Sequence, residues 1–265
     1  MNAARHVTAA LFAVAALVVG TGPLGCDDDG SGTTGKRIAL EVRVAASPES
    51  RSFTNAQGWS ITMEKAVLAT GPLYFYDGET LFAAGRSKGG GSFVRSAFAH
   101  PGHYVPGNAK GEMLTSGSVD LLAGATLGQG NGVSGFARSA TFTFGAPGSG
   151  AAAGELGANV IVLEGTATKA VETRVFRAEI KPEEVRDGKG VTQIEGCPFT
   201  PVDMQADGVV SLTVKIPVWL DQVAFDDVPT SADGSPVLLG SGLAHNQVVR
   251  GAKVGLAYVF SYVPR

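Results

Sequence analysis

Two histidines bracket a turn signal at His100-Pro101-Gly102-His103. Proline at the second position and glycine at the third are the preferred residues of a type II β-turn, which brings the first and fourth Cα atoms within about 7 Å. Two imidazoles are thereby pre-arranged by local backbone chemistry alone. Imidazole suits copper, zinc and nickel. Two ligands make a weak site, and a working one needs a third or fourth donor. The available donors are His245, the Cys197 thiolate, Glu112, Met113 and Met204. His100 and His103 with Cys197 or Met113 would favour copper, whereas the same pair with His245 and Glu112 would favour zinc. The alternative is a solvated turn whose histidines make ordinary hydrogen bonds.

Other strings with catalytic associations are weak or missing. Gly130-Asn131-Gly132-Val133-Ser134-Gly135 fits GxGxxG. A dinucleotide fingerprint needs a helix after it, and Phe136 to Phe144 alternate as a strand instead. A hairpin loop is the expected reading. HExxH, CxxC and P-loop strings are absent from the sequence. The expectation is therefore a protein that is not an enzyme. The net charge is −3 with no basic stripe, which argues against a nucleic-acid partner.

The N-terminus carries a different chemistry. Arg5 and His6 precede an apolar run from Val7 to Gly20, followed by small residues up to Gly25 and then Cys26. That order is the secretory pattern, and the run is short for a bilayer span of about 20 residues. The residues before Cys26 resemble the lipobox of bacterial type II signal peptides, with Gly25 in place and Leu24 one position closer to the cysteine than the family pattern prefers. The resemblance implies cleavage before Cys26, a thioether-linked diacylglycerol on that cysteine, a further acyl chain such as palmitate on its amine, and a lipoprotein of the bacterial cell envelope. The anchor would face the periplasm from the inner or outer membrane, or lie at the cell surface. The membrane is then one partner, through lipid on Cys26, and an envelope protein a candidate second. With Cys26 acylated, Cys197 has no partner in its own chain; it is buried and inert, intermolecularly paired, or a ligand.

The elements behind these residues are mostly strands. Residues 1–25 read as signal peptide, 26–36 (CDDDGSGTTGK) as a flexible tether, and 37–265 as a single domain. Period-two alternation runs through 38–44, 59–63, 141–144, 171–180, 210–216 and 254–263, the pattern of half-buried strands. Helical signal is confined to Val218–Phe225 and Leu243–Ala252, and Gly85–Ser92 and Gly145–Gly157 read as loops. These features predict an all-β fold, specifically an antiparallel β-sandwich, immunoglobulin-like or jelly-roll-like, with little helix.

Overall fold

The computed structural model describes residues 35–80, 104–146 and 149–265. The strands follow the alternating runs and also occupy segments that do not alternate. In chain order they are β1 (Arg37–Ala46), β2 (Ser52–Thr54), β3 (Ser60–Thr70), β4 (Leu73–Tyr76), β5 (Ala109–Met113), β6 (Gly117–Asp120), β7 (Ala125–Val133) and β8 (Gly135–Thr143). The rest are β9 (Ile161–Lys169), β10 (Glu172–Ile180), β11 (Gln193–Met204), β12 (Gly208–Val214), β13 (Val237–Leu238) and β14 (Tyr258–Pro264). Four short helices interrupt them: α1 (Ala153–Leu156), α2 (Pro182–Val185), α3 (Ile216–Leu220) and α4 (Leu243–Ala252). None of these helices is long and apolar enough to cross a membrane.

The mostly-β expectation holds, but the sandwich does not. Eight strands close into a barrel in the order β1-β12-β14-β11-β8-β4-β5-β7, with β7 returning to β1. The pairing is mixed: β1 runs parallel to β12 and β11 parallel to β14, while the other barrel neighbours are antiparallel. A second sheet, ordered β13-β10-β9-β3-β2, has β6 paired to the far end of β3. The two sheets are continuous in sequence at Gly71-Pro72, where the chain passes from β3 into β4, and Thr70 bridges to Phe144 beyond the end of β8. Period-two alternation reports only that one face of a strand is buried. It is the same for a sandwich strand and a barrel strand, so the pairing of β7 with β1 decides between them.

That closing pair explains why the glycine-rich run is not a loop. In β7, Gly128, Gly130 and Gly132 stand opposite Val42, Leu40 and Ile38 of β1. These three β1 residues are buried, so the glycines face the barrel interior. A Cβ on Gly130 would lie 2.5 Å from the Glu112 carbonyl oxygen, and one on Gly132 3.0 Å from Leu40 Cδ1. Glycine in a strand interior marks such a close approach. The hairpin expected over 130–135 is therefore corrected: residues 130–133 are strand. The chain turns at Ser134, whose hydroxyl accepts from the Lys36 amide and whose own amide donates to the Lys36 carbonyl. Gly135 takes φ +138° to begin β8.

Side chains fill the interior, as the diameter of an eight-stranded barrel allows. Phe75, Phe199 and Phe260 meet there with ring centroids 5.7–6.1 Å apart. Phe142 stacks on Tyr258 at 4.1 Å, and Phe144 meets both edge-on. Under the second sheet, Phe225 packs against Trp59 and Phe176. Asn55 ties that cluster together: its amide donates to the Leu220 and Val223 carbonyls while its oxygen accepts from the Trp59 amide. The helix expected at Leu243–Ala252 is α4. The one expected over 218–225 starts earlier and ends at Leu220 as α3, and the loop expected over 145–157 contains the single turn of α1.

Candidate functional site

Cys26, His100 and His103 lie outside the described residues. The remaining metal-ligand candidates are placed, and they do not converge. His245 sits on α4, buried, with Nε2 2.5 Å from Glu184 Oε1 on α2. The Glu184 carboxyl is held below its ordinary range: burial raises it, but the Lys181 amide and the His245 ring together outweigh that effect. Lys253 adds a hydrogen bond to the Arg186 carbonyl, so this corner is a tie between α2, α4 and the turn that follows. Cys197 is fully buried on β11, opposite Ala140 of β8, and its thiol donates to the Ile194 carbonyl at 3.3 Å. Burial pushes that thiol up to about 12, which keeps it protonated and a poor ligand. Met113 and Met204 are buried in the core. Glu112 is the strand neighbour of Met113, so the two side chains point to opposite faces of β5. Among the described residues, no three His, Cys, Asp or Glu side chains gather as a metal group.

The polar groups that do gather lie on the outer wall of the barrel, where β1, β7 and β5 run side by side. Gly132 pairs with both Ile38 and Gly111, and Asn131 pairs with both Ala39 and Glu112. The inward positions of this patch are Ile38, Gly132 and Gly111. By alternation, Arg37, Val133, Lys110, Asn131 and Glu112 face outward. They line a cleft of about 370 Å³ whose floor is the backbone of the three strands. Glycine is required on the inner side of this floor: a Cβ on Gly111 would meet the buried Leu40 side chain at 2.9 Å and Phe75 at 3.0 Å.

One wall is fixed by a polar cluster. Asp77, just after β4, accepts from the Asn108 amide at 2.7 Å and from its side chain at 3.1 Å. Lys110 Nζ lies 3.4 Å from the same carboxylate. Burial raises the Asp77 carboxyl, but these Asn108 and Lys110 contacts win and hold it below its ordinary value. Next to it, the Tyr104 hydroxyl meets Ser139 Oγ at 2.5 Å, and Ser139 donates to the Gly78 carbonyl. Burial pushes the Tyr104 phenol up to about 12, so this chain of hydroxyls stays neutral. Lys110 is therefore committed to its wall. Arg37, Glu112 and Asn131 are not: among the described residues none of their side chains makes a hydrogen bond or ion pair.

No family model, no characterised protein and no solved structure matches this chain. The cleft accordingly stands on its own chemistry: one uncommitted cation, one uncommitted carboxylate and a carboxamide between them, over an apolar Val133. Sequence reasoning named Glu112 only as a metal donor, and missed Arg37, Lys110 and Asn131 as a group. The available signal was the alternation Lys110-Gly111-Glu112, which places two opposite charges on one strand face, but nothing local reveals that β7 lies between β5 and β1.

Proposed function

We propose that this chain is a lipid-anchored bacterial envelope lipoprotein whose barrel is a binding module and not an enzyme. The leader and the residues before Cys26 support the anchor. Two or more acyl chains, each contributing about 0.8 kcal/mol per buried CH₂, hold a protein stably where one does not. The observation that carries the binding role is the division of labour in the barrel. Among the described residues its interior is packed with Phe75, Phe199, Phe260, Phe142 and Tyr258, as in small barrels whose side chains fill the interior. The uncommitted polar groups stand outside, in the β1–β7–β5 cleft. Arg37 begins β1 and lines that cleft.

Metabolic labelling with palmitate in a bacterial host tests the anchor. The full chain is expected to take up label and sediment with membranes, and Cys26→Ala to lose both properties. An unlabelled wild-type chain that stays soluble would reject the anchor and leave the domain as an ordinary secreted binder.

A further inference from the structure

The cleft formed by β1, β7 and β5 presents opposite charges that do not meet. Arg37 lies on β1 and Glu112 on β5, with β7 between them, so their strands are about 10 Å apart at a spacing near 4.8 Å per strand. They also sit in different rows. Arg37 is level with Val133, whereas Glu112 is level with Asn131, two residues along β7. No ion pair joins Arg37 to Glu112, although Lys110 and Asp77 pair on the same wall. Asn131 lies between the two charges, with an amide donor and a carbonyl acceptor both unspent. Val133 and Ala109 supply apolar surface beside them.

We infer that this cleft binds a small zwitterion, an amino acid or short peptide whose carboxylate meets Arg37 and whose amine meets Glu112. The inference rests on the binding-module reading and specifies the ligand of that site. A guanidinium offers a planar fork of donors that matches a carboxylate, and a carboxylate accepts from an ammonium with a charge-assisted bond. Asn131 can serve either end or a peptide group between them. A simple anion would leave Glu112 facing it with like charge, and a simple cation would leave Arg37 in that position. Only a ligand carrying both signs satisfies both walls. A volume of about 370 Å³ lies near the lower end of small-molecule sites, which suits a ligand of one or two residues.

Calorimetric titration of the full-length chain in detergent tests this. Alanine and alanyl-alanine are the zwitterionic probes; N-acetylalanine lacks the amine and alaninamide lacks the carboxylate. At least one zwitterion should bind, and whichever binds more tightly identifies a free amino acid or a peptide as the source. Each blocked compound should bind about tenfold or more weakly, as should the zwitterion to Arg37→Gln and Glu112→Gln. Both substitutions are at outward positions, and thermal melts should show them folded as the wild type. No heat from either zwitterion up to about 10 mM overturns the inference, as does equal binding of the blocked compounds. Binding of N-acetylalanine as tight as that of alanine would make this an anion site and also overturns it. Recovery of intact alanyl-alanine after incubation separates this inference from the proposed function. Hydrolysis would end the non-catalytic reading while leaving the ligand class in place.

Discussion

Cys197 shows how much one residue depends on the wall it belongs to. Its residue type alone allowed an inert thiol, an intermolecular partner or a ligand, and only the register with Ala140 on β8 selects the first. Burial with a thiol pushed up to about 12 leaves almost no thiolate near neutral pH. Iodoacetamide at pH 8 is therefore expected to leave Cys197 unmodified in the folded protein and to alkylate it fully in denaturant, as mass spectrometry would report. Rapid modification of the native chain would mean that β11 opens away from β8. His245 has a similar history. The sequence offered it as a zinc ligand; in the fold, its ring nitrogen already has Glu184 as partner.

At the scale of elements, that pair ties α2 to α4 and carries a pH dependence of defined sign. Glu184 is held below its unfolded value near 4.5. A depressed carboxyl contributes stability above the unfolded pKa and loses it as pH falls through the folded one. Glu184→Gln should therefore cost about 1 kcal/mol near pH 7, a charge-assisted bond discounted for partial exposure. The difference in melting temperature from wild type should shrink as pH falls and vanish once the carboxyl is protonated in the folded state. A gap that persists then would assign the cost to packing. β7 makes a second, opposite point about elements. β1, β12 and β14 alternate cleanly and were legible, because one face of each carries large apolar residues. β7 was not, because its inward positions are Gly128, Gly130 and Gly132 and its apolar partners lie on other strands. Gly130→Val is expected to destabilise by about 2 kcal/mol or more in urea titrations, since overpacking a tight site costs 1–3 kcal/mol and the added carbon meets the Glu112 carbonyl. Gln129→Val, one residue away and outward, should stay within about 0.5 kcal/mol. Equal effects at the two positions would place the interior on the wrong face of β7.

For the whole molecule, composition and periodicity led to the all-β class but not to its closure. Strand order is a property of long-range pairing, and residues such as Val42 alternate identically whether their neighbour is a sandwich strand or β7. The closed interior makes its own prediction. Phe75, Phe199 and Phe260 share one space, so Phe75→Ala should cost about 3–5 kcal/mol. Combined with Phe260→Ala, it should fall short of the sum of the single effects, because residues in contact are not additive. Strict additivity would show that the rings do not share a cavity.

The position of β14 has a kinetic consequence. This last strand, Tyr258–Pro264, lies between β12 and β11, while β1, the first, already needs β12 on one side and β7 on the other. A growing chain therefore cannot complete its barrel at any intermediate length. Until Phe260 can reach Phe199 and Leu212, the apolar faces of β11 and β12 have no neighbour between them. Folding must wait for nearly the full sequence and then join its most distant parts, a topology of high contact order and correspondingly slow folding. For a protein expected to cross a membrane before it folds, such a delay would keep the chain open while it is threaded.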